Sequence, residues 1–312
     1  MRLPRRSFLR KAAVAALGFT IIPRHVLGRG FVPPSETLNH VIVGCGGISS
    51  MHSEPRMTGK NRIVGICDVD AQRVQKKLER IKQAGGGTPM TAEDFREVIA
   101  LPDADVVHVC TPPHWHGVIA AMAARRGKAV WCEKPLTRTI GEGIALSRVV
   151  QQTGVPFRVN TWFRLNRTNY YGVGPAREIR RVVASGVLGG PLTVRLAPVG
   201  GIQWKVNLWT GKPDLKPEPV PTHLNWDLYC GPAQLIPYHS HRCHGSFRGY
   251  WNFDQGGLGD MGQHFLDPVQ YFLGKDGESP VSVECDAPAQ DAMACGVWKT
   301  VTMTYKDGTR II

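Results

Sequence analysis

Short apolar runs at 38–43, 62–67, 104–110, 129–132 and 156–159 alternate with helical patterns, a rhythm that points to a parallel sheet with crossover helices. The segment 71–83 shows the helical half: Val74, Leu78 and Ile81 fall on one stripe, with Lys and Arg opposite. Thr91 and Asp94 predict a capped short helix through Ile99. The first run turns directly into Gly44-Cys45-Gly46-Gly47-Ile48-Ser49, where a first strand would enter a first helix. Gly44 permits the tight turn, and Gly46, with Gly47 and Ile48 beside it, lets the backbone approach a pyrophosphate resting on the helix N-terminus. Ser49 stands at the third glycine of the G-x-G-x-x-G pattern and is small enough for close packing. Asp68 ends the second run, where an acid accepts hydrogen bonds from the ribose hydroxyls of NAD and repels the extra phosphate of NADP. NAD is therefore the expected cofactor; a plain glycine turn followed by an N-capping aspartate is the alternative reading of the same residues.

Beyond Asn160 the texture changes. Trp162, Trp204, Trp209, Trp226 and Trp251 crowd a stretch with few continuous helical stripes, and 281–284 and 295–305 alternate like strands of an open antiparallel sheet. Lys306-Asp307-Gly308-Thr309 reads as a hairpin turn whose returning strand has barely begun at Ile312, so this sheet is expected to be cut short.

The net charge of +13 over 312 residues suggests nucleic-acid binding until it is partitioned. Residues 1–30 hold seven Lys/Arg and no acid, which leaves an excess of only six elsewhere. No basic stripe interleaves with aromatics, so a nucleic-acid partner is not expected. Arg5-Arg6-Ser7-Phe8-Leu9-Arg10-Lys11 is a twin-arginine signature before an apolar stretch at 12–22, shorter than the roughly 20 residues a membrane span needs. Export to the periplasm is expected, with membrane contact confined to this segment, which has no small-x-small cleavage site after Ile22. Cys45, Cys67, Cys110 and Cys132 fall at strand ends without C-x-x-C spacing, which predicts mostly free buried thiols. His239, His241, Cys243 and His244 match no pair-plus-pair arrangement of zinc ligands, so no metal is expected.

Three ordered motifs, Cys110-Thr111-Pro112-Pro113-His114-Trp115-His116, Glu133-Lys134-Pro135 and Gly257-Leu258-Gly259-Asp260-Met261-Gly262-Gln263-His264, resemble the Gfo/Idh/MocA oxidoreductase family, above all its exported twin-arginine branch. The resemblance runs from the signal to the carboxyl end. It implies a signal and linker at 1–35 and a Rossmann domain at 36–160. An α/β domain at 161–312 would follow, with a large, open, mostly antiparallel sheet used for substrate binding and homo-oligomer contact. It also implies that Thr111, Pro112, His116 and Glu133 contact the cofactor, with Asn160 as a further polar contact.

Lys134 follows the 129–132 run, so its ammonium can reach over the carboxyl edge of the sheet, orient a substrate hydroxyl and help its proton leave. As a bare tripeptide Glu-Lys-Pro is common; the resemblance implies a catalytic Lys134. Asp260 and His264 lie four apart in a helical pattern at 259–273 and share a face. A surface ion pair is one reading, and the resemblance implies the other, His264 as base with Asp260 as its partner. Arg164, Trp204 and Trp251 are candidate substrate contacts, since aromatic faces bury the apolar side of a pyranose, against the alternatives of a solvated arginine and of core packing.

The expected activity is NAD-dependent hydride abstraction from a secondary alcohol of a sugar, glycoside or cyclitol. A redox-neutral NAD-dependent glycosidase using the same residues, and an inactive nucleotide-binding fragment, are the rival readings.

Overall fold

The computed structural model describes residues 36–53, 61–161, 164, 176–196 and 209–312. The twin-arginine segment and Trp204 lie outside the described residues.

The first sheet has six parallel strands, β1 (Asn39–Val43), β2 (Arg62–Cys67), β3 (Met90–Ala92), β4 (Val106–Val109), β5 (Ala129–Glu133) and β6 (Phe157–Asn160). Their order is β3-β2-β1-β4-β5-β6, so the chain reverses direction across the sheet between β1 and β4 and opens a crevice at the carboxyl edge. All five predicted runs form strands. The additional β3 is three residues at the sheet edge, too short and too exposed to carry an apolar pattern.

Helix α1 (Ala71–Gln83) forms where predicted, capped by Asp70, whose side chain accepts from the Gln72 and Arg73 amides. Val74, Leu78 and Ile81 pack on Ile42, Ile63 and Ile66 of one sheet face. The opposite face, Val41, Val43, Val107 and Val109, packs on helix α3 (Pro113–Arg125) through Ile119, Ala120, Ala123 and Ala124, whose small side chains bring helix and sheet close together. Helix α2 (Phe95–Ile99) is capped by Asp94 alone, because Thr91 is committed to β3 opposite Ile66. Helix α4 (Ile140–Thr153) starts on a capping box of Thr139 and Glu142 and ends at left-handed Gly154.

One expectation is corrected here. The glycine turn leads into a single 3₁₀ turn, Gly47–Met51, not an α-helix. Two adjacent glycines favour no helix, and the Ser49 hydroxyl donates back to the Gly46 carbonyl at 2.6 Å, which favours the tighter turn.

Helix α5 (Ala176–Ala184) and strand β7 (Thr193–Val194) open the second domain, and α6 (Trp226–Cys230) and α7 (Gly256–Leu273) follow. Strands β8 (Ser282–Asp286), β9 (Thr300–Thr304) and β10 (Arg310–Ile311) complete a mixed sheet of order β7-β10-β9-β8, in which only β7 and β10 run parallel. The predicted hairpin is present, with Gly308 at φ +83°. The predicted strand at 295–305 is shorter, Thr300–Thr304, because Cys295 bonds instead to the Gly249 and Gly211 backbones. Val269 and Phe272 of α7 pack on Tyr305 and Ile311. A separate aromatic core, Trp226, Tyr229, Tyr238 and Phe253, fixes the segment between the sheets, and the Trp226 indole donates to the Ile236 carbonyl at 2.7 Å. All eight cysteines are unpaired, and seven are buried.

The domains dock through the amino end of α3. The Trp115 indole donates to the Leu228 carbonyl at 3.1 Å, and His114 Nε2 donates to the Tyr229 carbonyl at 2.8 Å. Gly231 has φ +47°, and a Cβ there would overlap the Trp115 ring. Gly231→Ala is expected to destabilise the protein by roughly 2–3 kcal/mol in urea unfolding, whereas Gly127→Ala, with φ +73° and open space, should cost about 1 kcal/mol. Equal costs would show that the docking of Trp115 does not hold the domains.

Candidate active site

The crevice at the carboxyl edge is a cavity of about 400 Å³. Gly44, Gly46, Gly47, Ile48 and Asp68 line it from β1 and β2, Thr111, Pro112, Glu133 and Lys134 from β4 and β5, and Phe247, Arg248 and Asp260 from the second domain. Gly44, at φ +93°, has no room for a Cβ, which would lie 2.6 Å from the Cys110 carbonyl oxygen. Asp68 accepts from the Cys45 amide at 2.7 Å and the Asp70 amide at 3.0 Å, so the acid that faces the cavity also braces the glycine turn. Burial pushes the Asp68 carboxyl above its ordinary range, against these amide bonds and the charge of Arg73.

A dinucleotide fits these residues. The glycine turn offers bare backbone, and the buried Thr111 Oγ1 and Glu133 Oε2 on the opposite side of the crevice have no protein partner. Other predicted contacts act one step back. His116 is buried, with Nδ1 2.7 Å from the Pro135 carbonyl and Nε2 2.7 Å from the Thr111 carbonyl, so it ties together the two loops that flank the cavity. Asn160 donates to Glu133 Oε1 at 2.5 Å and holds that carboxylate.

Lys134 and Asp260 meet across the domains. Lys134 Nζ lies 2.9 Å from the Asp260 carbonyl and 3.1 Å from Oδ2, and Arg248 Nε approaches the same Oδ2 at 3.1 Å. Burial alone would raise the Asp260 carboxyl, but the two cations outweigh it and hold it below the usual carboxylate range. Asp260 is thus spent on Lys134 and Arg248. His264, one turn further along α7, is buried with Nδ1 2.8 Å from Gln263 Nε2 and does not line the cavity. The helical spacing was legible, but two cations outside that helix, one of them on the other domain, compete for the carboxylate.

Two expected substrate contacts are placed elsewhere. Arg164 forms ion pairs with Asp267 at 2.6 Å and Asp276 at 2.7 Å, and the Trp251 indole donates to the Asp291 carbonyl at 3.0 Å; neither lines the cavity. Sequence reading missed Arg248, Arg73 and Asp254. Arg73 follows Asp68 by five residues and lines the same cavity. Asp254 is fully buried just before α7, and burial together with the charge of Asp260 pushes its carboxyl well above the usual range. None of the three stands in a recognisable motif.

Residues 38–161 match the family model "Oxidoreductase family, NAD-binding Rossmann fold", and residues 173–312 match "Oxidoreductase family, C-terminal alpha/beta domain". Levoglucosan dehydrogenase of Pseudarthrobacter phenanthrenivorans is 28% identical over 190 residues, which cover 61% of this chain and 38% of that protein. The scyllo-inositol 2-dehydrogenase (NAD(+)) of Bacillus subtilis is 29% identical over 157 residues, 48% of this chain and 41% of that protein. The chain thus spans about two fifths of the length of these curated relatives. The fold is similar to that of levoglucosan dehydrogenase in complex with NADH and levoglucosan, with a TM-score of 0.56 at 21% identity over 88% of this chain and 65% of that one. It is equally similar to myo-inositol dehydrogenase from Lactobacillus casei in complex with NAD(H) and myo-inositol, with a TM-score of 0.56 at 17% identity over 88% and 66%.

The two buried aspartates predict opposite pH dependence. Asp260, depressed when folded, contributes stability above the ordinary carboxyl value of about 4 and loses it as pH falls. Asp260→Asn should therefore cost roughly 3–5 kcal/mol near neutral pH, by urea unfolding, and progressively less toward pH 3. Asp254, raised when folded, binds a proton that the unfolded chain releases, so its contribution falls as pH rises above about 4. Asp254→Asn should gain relative to wild type as pH rises; parallel pH profiles for both variants would refute the assignment.

Proposed function

Because the chain belongs to the Gfo/Idh/MocA oxidoreductase family, we propose that it is an NAD-dependent dehydrogenase acting on a secondary alcohol of a sugar or cyclitol. The observation that carries this reading is the Lys134 ammonium, held by Asp260 inside the cavity that begins at the glycine turn. NAD, when bound, supplies the hydride acceptor. Gly44, Gly46 and Asp68 would hold its adenosine half, and Thr111 and Pro112, across the same cavity, its nicotinamide half.

Lys134 Nζ spends its contacts on the Asp260 carbonyl and carboxylate, which leaves a third N–H direction for a substrate hydroxyl. The ammonium polarises that hydroxyl and steadies the negative charge that grows on its oxygen. Asp260 and Arg248 set the position of Lys134, and His264, buried one turn along the same helix, is the proposed base. The Arg5-Arg6 signature supports an exported, periplasmic enzyme. The edge strand β8 and the residue before it, with Val281 66% and Val283 54% exposed, support a homo-oligomer contact.

Mass spectrometry of nucleotide released on denaturation, followed by NADH formation on a panel of sugars and cyclitols, tests the proposal. Lys134→Met is expected to lower turnover at least about a hundredfold while NAD is still retained. Full turnover by that variant, or no oxidation of any alcohol by wild type, would overturn it.

A further inference from the structure

A line of buried histidines crosses one face of the Rossmann sheet and ends on Glu133. His40 Nδ1 lies 2.7 Å from His108 Nε2, His108 Nδ1 lies 2.9 Å from His52 Nδ1, and His52 Nε2 lies 2.8 Å from Glu133 Oε1. All four residues are 5% exposed or less. The Trp131 ring stacks on His108 with centroids 5.4 Å apart and meets His52 edge-on, which walls the line from solvent. His40 sits near the amino end of β1 and Glu133 at the carboxyl end of β5, so the line runs from the far edge of the sheet to the cavity.

These contacts accommodate two proton arrangements. In the first, Glu133 is a carboxylate whose Oε1 accepts from both Asn160 and His52, and His52 carries its proton on Nε2. A neutral His52 then accepts at Nδ1, His108 donates from Nδ1 and accepts at Nε2, and His40 donates from Nδ1. Every N–H points toward Glu133, and the ring nitrogen left without a partner is His40 Nε2, itself buried. Burial holds His108 and His40 below the ordinary imidazole range, which keeps both neutral, with Asp105 the opposing charge nearest His40. Around Glu133 the other ionisable groups are Lys134, His116, Cys110 and Cys132.

Such a line has a second state with the same hydrogen bonds reversed. A proton bound at His40 Nε2 lets each ring pass its own proton onward, and Glu133 becomes the neutral acid, donating from Oε1 to His52 Nε2. One N–H bond forms at His40, one O–H forms on Glu133, the N–H bonds between are exchanged one for one, and no electron moves. Resting on the dehydrogenase reading, we propose that Glu133, His52, His108 and His40 form one proton-transfer line that neutralises Glu133 when the neighbouring nicotinamide loses its positive charge. A carboxylate lining the cavity would stabilise a cationic, oxidised nicotinamide and would be left unbalanced beside a neutral, reduced one. The alcohol supplies the hydride and gives its own O–H proton to the base. The compensating proton comes from bulk water at the amino end of β1, where His40 Nε2 takes it up when that buried edge opens, and reaches Glu133 without opening the cavity itself to water.

Histidine ¹⁵N NMR on the full chain reads the tautomers directly. In the free protein, lowering the pH should invert all three rings together with one apparent midpoint, from protonated Nδ1 to protonated Nε2 on His40 and His108 and the reverse on His52. Independent titration of each ring to imidazolium would overturn the line. With saturating NAD⁺ and then NADH at fixed pH, the rings should invert between the two complexes, and the preference for NADH over NAD⁺ should rise about tenfold per unit fall in pH. Glu133→Gln should abolish that slope. Binding of both nucleotides without ring inversion would overturn the coupling and leave the NAD reading intact. Concerted inversion in a chain that binds neither nucleotide would overturn the coupling and the NAD reading alike while the line itself stands.

Discussion

The ion pair between Lys134 and Asp260 is the contact on which the rest of the site depends. Lys134 follows the last residue of β5 and Asp260 lies in the first turns of α7, so one contact of about 3 Å fixes the second domain against the cofactor edge of the first. Neither charge could be buried alone, since an unpaired ion in a closed site costs several kcal/mol. Arg248 completes the arrangement, and two cations on one carboxylate explain why Asp260 is held below the usual carboxylate range while Asp254, a few residues away, is pushed above it by burial and by the charge of Asp260. Helix α7 carries the contact outward, because its other face packs Val269 and Phe272 on Tyr305 and Ile311 of the second sheet.

Buried polar groups are costly, and here the cost is met by pairing them in series. His116 spans the Thr111 and Pro135 carbonyls, Asn160 and His52 share Glu133, and His108 links His52 to His40. Each bond removes a desolvation penalty of about 1–3 kcal/mol that an orphaned group would carry. Among the exceptions on cavity-lining residues, Thr111 Oγ1 and Glu133 Oε2 are where a bound cofactor would supply the missing partner. The same pairing makes the site rigid, since no member can turn without breaking its neighbour's bond.

The parallel strands and helix α1 were legible in the sequence because apolar runs and a 3.6-residue stripe report local burial directly. Asp68, Gly44 and Gly46 were legible because a motif of backbone demands leaves a mark at fixed spacing. Edge strand β3 left no such mark, and neither did the departure of the first crossover into a 3₁₀ turn, which depends on where the Ser49 hydroxyl finds an acceptor. Arg164 and Trp251 carried the right chemistry for a sugar, yet their partners Asp267, Asp276 and Asp291 sit from about 40 to more than 100 residues away.

Sequence by itself therefore determined the strand-and-helix order of the first domain and its cofactor edge, and the family resemblance singled out Lys134 and Asp260 without pairing them. Only the tertiary structure decided whom those residues face. It gave Asp260 to Lys134 and Arg248 instead of His264, aligned three histidines on β1, β4 and the turn after the glycines, and buried Asp254 beside an ionised neighbour. The physical reason is that periodicity and turn chemistry are properties of neighbouring residues, whereas the energy of a buried charge is set by every group within a few ångströms, wherever in the chain it lies.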